Sequence, residues 1–249
     1  MAQPLIDLDD EGTPAHLWTA WGAEHRALEI ESCQRLVVVA PHPDDEILGA
    51  GGLIALARSN DIPVTVVIVT DGEGAYPGSA SYTPRALASL RIEESRRAAR
   101  VVGAQAPTRL GFPDGAVGSR EDELTSALRG VLFRETGPDV WCATTWRNDG
   151  HPDHEAVGRA TAAACTSSGA TLLEFPVWMF QWAHPDDSVV PSDRARTLAL
   201  PAKIVRTKLA AIDEYSSQTI AASTHPADRP ILPPHVLERF AGRSETFFV

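Results

Sequence analysis

One short stretch near the start of the chain constrains it most. Leu36-Val37-Val38-Val39 is an apolar, mostly β-branched run of the kind that forms a strand buried on both faces. Pro41 and Pro43 stop it, because neither can donate to a sheet ladder. Leu48, Leu53, Ile54 and Leu56 then recur at helical spacing. A buried strand, a sharp turn and a helix imply a parallel sheet covered on both sides. His42, Asp44, Asp45 and Glu46 fall in the turn, at the carboxyl end of a central strand, where open α/β sheets bind ligands. So much negative charge beside an imidazole asks for a cation.

A second loop of similar chemistry lies far downstream. Val140–Thr145 is another buried-type run, Asp149-Gly150-His151-Pro152-Asp153-His154-Glu155 follows it, and 155–166 has helical spacing. Two strand-end loops thus each offer His and Asp side chains, and together they form a ligand set.

Between and around the loops, strand and helix alternate. After the strand ending at Ala40 come a helix over 45–59, a strand over 64–69, a helix over 84–102, a short strand over 108–110 and a helix over 121–135. The strand over 140–145 and the helix after His154 follow, then a strand over 171–180, a helix over 201–215, and a terminal strand within 239–249. This order predicts a single-domain, Rossmann-like α/β fold with a mostly parallel sheet and helices on both faces. Residues 1–34 read as an N-terminal helical extension, with Thr13-Pro14 opening a helix that carries Leu17, Trp18 and Trp21, and residues 35–249 as the main domain.

Composition removes several function classes. The 249 residues carry a formal net charge of −11, which opposes a broad nucleic-acid footprint or an anionic membrane surface. No apolar run approaches the roughly 20 residues of a membrane helix. The N-terminus has neither the basic start nor the apolar core of a secretory signal, so the expected address is cytoplasmic. Cys33, Cys142 and Cys165 are odd in number and widely spaced, and read as buried thiols in a reducing compartment.

The chemistry follows from the residue types. His42 and Asp45 can converge on one ion across a turn broken by Pro43, leaving the Asp44 carboxylate free beside it. A third ligand from His151 or His154 completes a His₂Asp set, the N/O donor set of a catalytic zinc site with a position open to water. Water on such an ion has its pKa lowered toward about 7, and a neighbouring carboxylate can take its proton during attack on a carbonyl. The other histidine, cationic beside an acid such as Asp149, would stabilise the oxyanion and protonate a leaving amine. The sum is amide hydrolysis.

Pro41-His42-Pro43-Asp44-Asp45-Glu46 and His151-Pro152-Asp153-His154 resemble the two signature motifs of the LmbE-like, or PIG-L, de-N-acetylases. Thr70-Asp71-Gly72-Glu73, Arg91-Ile92-Glu93-Glu94, Gly111-Phe112-Pro113-Asp114-Gly115 and Lys208 through Tyr215-Ser216-Ser217-Gln218 resemble further blocks in the same order. The resemblance implies that His42, Asp45 and His154 hold Zn2+ or another divalent ion, with Asp44 as general base and His151 as electrostatic catalyst or acid. It puts Asp149 where an acid keeps the catalytic histidine charged, Arg91 in the substrate pocket and Asp114 near sugar hydroxyls. The implied partner is a small N-acylated sugar-like molecule, with no nucleic acid and no membrane, and nothing in the pattern opposes a homo-oligomer.

The alternative is a metal-binding module of the same fold without turnover, against which both Asp44 and His151 are present. Asp153 is expected to cap the helix that follows it, and Glu46 to serve the helix start or a partner behind the metal. Gly49-Ala50-Gly51-Gly52 is read as close helix–sheet packing, because the acids before it would repel a pyrophosphate. Ala183-His184-Pro185-Asp186-Asp187 repeats the letters of the main motif but is read as a loop. Specificity is expected from 74–83, 182–194 and 230–234, and Trp146, Trp178 and Trp182 are each either core or pocket wall.

Overall fold

The computed structural model describes Ile6 and residues 10–135 and 139–249. The chain enters with helix α1 (Ala15–Gly22) and a two-residue strand β1 (Arg26–Ala27). It then alternates through β2 (Arg35–Ala40), α2 (Asp45–Ser59), β3 (Val64–Thr70), α3 (Pro84–Val101), β4 (Thr108–Phe112), α4 (Glu121–Arg134), β5 (Val140–Thr145), α5 (Pro152–Ser168) and β6 (Thr171–Phe175). The last third adds the helical turn α6 (Met179–Trp182), β7 (Ala195–Ala199), α7 (Ala202–Ile212), the short α8 (Ser216–Thr219) and α9 (Pro234–Leu237), and β8 (Ser244–Phe248).

The eight strands lie in the order β1-β7-β8-β6-β5-β2-β3-β4. Every pairing is parallel except those of β8, which runs antiparallel to both β6 and β7. The expected mostly parallel α/β sheet is therefore present. β2 is central because its alternating residues feed two cores. Leu36, Val38 and Ala40 pack with residues of α2, α3 and α7, while Val37 and Val39 pack with residues of α4 and α5. All five are fully buried, and each large apolar side chain so placed stabilises the fold by about 1.5–3 kcal/mol.

β2 pairs with β3 on one side and β5 on the other. The chain goes outward through β3 and β4 in one direction and through β5 and β6 in the other. The loops after β2 and β5 thus diverge from a topological switch point, where a crevice opens. Both ligand loops stand there.

Several elements differ from the sequence-based expectation, and β7, α8 and α9 have no counterpart in it. The strand over 171–180 ends at Phe175, since Pro176 cannot donate to the ladder, and the chain turns into α6. The leader also contributes more than a helix: Arg26 and Ala27 register in parallel with Arg196 and Thr197. α1 itself buries Trp18 and Trp21, with Trp18 Nε1 donating to Phe180 O at 2.8 Å. No helix among the described residues is long and apolar enough to cross a membrane.

The glycines after the first loop act through packing. A Cβ at Gly49 would lie 2.0 Å from the Phe175 ring, and one at Gly52 would lie 2.6 Å from Leu200. The repeated letters at His184 form an exposed turn, closed by His184 N donating to Asp187 Oδ2 at 2.6 Å.

Candidate metal centre

The turn after β2 is folded back on itself by carboxylates. Asp45 opens α2, and its Oδ2 accepts from His42 N at 3.0 Å. Asp44 precedes it with φ of +147°, a region that costs of order 1–3 kcal/mol for a residue with a side chain. Its conformation is held from several sides. Asp44 N donates to Glu46 Oε2 at 2.9 Å, and Asp44 O accepts from Ile47 N and Leu48 N, both at 2.9 Å. Glu46 is in turn gripped by Tyr215 Oη at 2.5 Å and Ser95 Oγ at 3.1 Å, so it serves the turn rather than the ion.

Three donor atoms meet beside this turn. His42 Nδ1 and His154 Nε2 each lie 3.2 Å from Asp45 Oδ2, and atoms of all three residues fall within 4.8 Å of one another. His154 Nε2 is buried and is not aligned for a hydrogen bond despite that distance. The opposite ring nitrogens are engaged. His42 Nε2 faces Asp114 Oδ1 at 3.1 Å, and His154 Nδ1 faces Asp149 Oδ2 at 2.8 Å. A carboxylate behind each imidazole fixes the proton on the far nitrogen and turns a lone pair inward, the usual arrangement for histidines that bind metal. The orphaned Nε2, the shared carboxylate oxygen and the two braced imidazoles fit a divalent ion with N/O ligands.

The electrostatics of the chain without metal point the same way. Burial disfavours a charged His154, but the nearby Asp45 charge and the bond to Asp149 outweigh it and raise its pKa to about 9. His42 is likewise raised well above its ordinary value, its burial overcome by Asp114, Asp153 and Asp45. Asp45 is held far below the carboxylate range in spite of burial by His154 and His42. Protons on the histidines thus take the place of the cation. Asp44 moves the other way: burial raises it, Arg91 opposes, and it stands at about 7.

Several expected contacts are rearranged. The family resemblance puts Asp149 beside His151, but its carboxylate braces His154 and also accepts from the backbone N–H of Val177, Trp178 and Met179, capping α6. Asp153 does not cap α5; His151 does, its Nδ1 accepting from Asp153 N at 3.2 Å. The Asp153 carboxylate instead holds the N–H of Gly115 and Val117 and approaches His42 Nε2 at 3.5 Å. Asp114, expected at sugar hydroxyls, backs His42 and accepts from Gly74 N at 2.8 Å. Arg91, expected on substrate, is buried and donates to Gly72 O, Pro43 O and Asp44 Oδ2 at 2.9–3.0 Å. Gly72 makes that possible, since a Cβ there would lie 2.1 Å from Arg91 Nη1.

His42, Asp44, Asp45, His151, Arg91 and Asp114 all line one cleft of about 480 Å³. Trp178 lines it too, whereas Trp146 is buried core and Trp182 donates to Asp149 O. Residues of 74–83 and 230–234 reach the cleft, and none of 182–194 is among its described lining residues.

The profile of the GlcNAc-PI de-N-acetylase family, PIG-L, matches residues 37–165, which contain both ligand loops. The chain belongs to the PIG-L family. It is 34% identical over 134 residues to the probable N-acetyl-alpha-D-glucosaminyl L-malate deacetylase 2 of Bacillus subtilis (strain 168), covering 53% of this chain and 60% of that protein. The chain thus spans less than two thirds of that relative's length. It is 29% identical over 250 residues to the 1D-myo-inositol 2-acetamido-2-deoxy-alpha-D-glucopyranoside deacetylase of Rhodococcus erythropolis, covering 77% of this chain and 83% of that protein. The solved structure of the conserved protein TT1542 from Thermus thermophilus shares the fold, with a TM-score of 0.63 at 23% identity over 86% of this chain and 94% of that one. As a PIG-L member the chain has relatives named as deacetylases of N-acetylated sugars, and its own candidate metal ligands are those two loops' His and Asp residues.

Proposed function

We propose that this PIG-L member is a zinc-dependent amidase that removes an N-acyl group, acetyl first, from an amino sugar. The observation that carries the reading is the convergence of His42, Asp45 and His154, with a carboxylate outside that set, Asp44, beside His42 and Asp45 on the cleft wall. Those three residues would hold the ion, which when bound supplies a Lewis acid and lowers the pKa of bound water.

Asp44 is the general base. A buried carboxylate at about pH 7, steered by Arg91, can take a proton from the attacking water and return it within the same turnover. His151 differs from the cationic acid expected from sequence. Its Nδ1 accepts from Asp153 N–H at 3.2 Å, which a protonated Nδ1 could not do. It is therefore a neutral imidazole with its proton on Nε2, a donor to the carbonyl oxygen as negative charge develops there. With His151 unable to give up a proton readily, Asp44 passes its own to the nitrogen as the C–N bond breaks, leaving a carboxylic acid and an amine, which exchange the acid's proton to leave as carboxylate and ammonium. Arg91 positions Asp44, and Asp114 and Asp149 orient the two ligand imidazoles.

A cytoplasmic setting belongs to the same proposal. It is supported by Cys33, Cys142 and Cys165, all buried and unpaired.

The test is acetate release from N-acetylglucosamine glycosides by zinc-loaded chain. Activity that falls by orders of magnitude in Asp44→Asn at unchanged zinc content supports the assignment. Zinc bound one to one with no acetate released from any N-acetyl sugar would favour the metal-binding module instead.

A further inference from the structure

Much of the cleft wall is apolar. Besides the polar cluster it is lined by Leu48, Pro77, Pro152, Trp178, Ile231 and Leu232. Arg91 is the single Lys or Arg among the described lining residues, it is 3% exposed, and its guanidinium is tied to Gly72, Pro43 and Asp44. An anionic group held at the outer part of this cleft would lose water without finding a free Lys or Arg among the described lining residues to pair with.

The wall is graded by depth. Leu48, Trp178 and Leu232 are buried beside the cluster, whereas Pro77 and Pro152 are exposed and Ile231 is half-buried, so these three form the mouth. With the amide carbon at the cluster and the sugar ring over the buried wall, the mouth receives what the substrate carries beyond the ring, such as an extended group on the anomeric oxygen.

The mouth is also preformed. Tyr76 Oη donates to Ser217 O at 2.6 Å, and the hydroxyls of Ser79 and Ser81 both donate to Asp228, which Ser223 Oγ also reaches at 2.5 Å. Gly74 N is held by Asp114, so the loop carrying Pro77 is pinned on both sides of it. On the opposite bank Leu232 N donates to Gln218 O at 2.9 Å. A rigid apolar rim binds an apolar group without the cost of ordering a loop.

We infer that the rim formed by Pro77, Pro152 and Ile231 takes an uncharged, apolar aglycone attached to the amino sugar, and selects against substrates carrying an anion at that position. This rests on the deacetylase reading for the location of the amide.

Three probes decide it with zinc-loaded chain: hexyl N-acetylglucosaminide, free N-acetylglucosamine and N-acetylglucosamine 1-phosphate. The expected kcat/KM for the hexyl glycoside is about tenfold or more above the free sugar, with the 1-phosphate poorest. Ile231→Lys, a change at a half-buried position, should lower the hexyl preference and improve the 1-phosphate; Pro77→Asp should lower the hexyl preference alone. Equal rates on all three, or a 1-phosphate preference in the unaltered chain, overturn the inference and leave the deacetylase reading standing. A matching gain for N-hexanoylglucosamine with none for the hexyl glycoside overturns the aglycone assignment. Calorimetry with hexyl glucosaminide, the amine product, separates the two claims. Binding without turnover of any probe keeps the rim and sinks the deacetylase, and no binding sinks the rim.

Discussion

Asp149 Oδ2 lies 2.8 Å from His154 Nδ1, and both side chains are fully buried. The pair ties the second ligand loop to the chain beyond β6, because the same carboxylate accepts the N–H groups that start α6. Replacing Asp149 by Asn keeps the shape but removes the charge that makes His154 a good ligand. Asp149→Asn should weaken zinc binding about 10–100-fold, measured by chelator competition, while turnover per bound zinc changes little. Unchanged zinc affinity would deny Asp149 this orienting role.

Arg91 opposes the burial that raises Asp44. Without the guanidinium the carboxyl would hold its proton to higher pH, and only the carboxylate can act as base. Arg91→Met should therefore move the acid limb of the kcat/KM profile upward by at least about one pH unit, so that activity lost at pH 7 is partly recovered at pH 9. A variant with raised KM and an unmoved pH limb would point to substrate contact instead.

In the proposed centre, metal and protons would compete for the same two imidazoles. His154 is raised from 6.5 to about 9 in the metal-free chain. That shift gives stability present in full below pH 6.5 and lost as pH rises through about 9, whereas zinc requires the neutral ring. The rise in Tm on adding a fixed excess of zinc should thus be larger at pH 8.5 than at pH 6.5. Equal rises at both pH values would contradict the proton–metal exchange.

Gly49 of α2 faces the ring of Phe175, with no room for a methyl beside it. Gly49→Ala should destabilise the fold by about 1–3 kcal/mol or more through overpacking, read as a lower urea midpoint. Gly118→Ala, where the nearest atom to an added Cβ is 4.0 Å away, is the matched control and should move the midpoint little.

The two ligand loops were legible because each follows a buried run whose end is marked by residues that cannot continue a strand, and the sheet does the rest. Asp44 and Glu46 could likewise be placed from their position in a turn before a helix. The partners behind the imidazoles were not legible. Asp149, Asp114 and Asp153 are ordinary loop or helix-entry acids by spacing, and which ring each faces depends on how β4, β5 and β6 bring their loops together in space. β1 escaped because two residues carry no periodicity, and α6 because the aromatic run after Pro176 suits a buried strand as well as a helical turn. Asp228 had no local signal at all, since its serine partners lie on the remote loop 79–81 and at Ser223.

Two overlapping groups of side chains compete as the ion's home, and they share His42. Zinc located by anomalous scattering in crystals of the zinc-loaded chain separates them. The expected result is one ion about 2.0–2.2 Å from His42 Nδ1, Asp45 Oδ2 and His154 Nε2. An ion on His42 Nε2 with Asp114 and Asp153, and nothing at His154, would contradict the proposed centre and every role assigned around it.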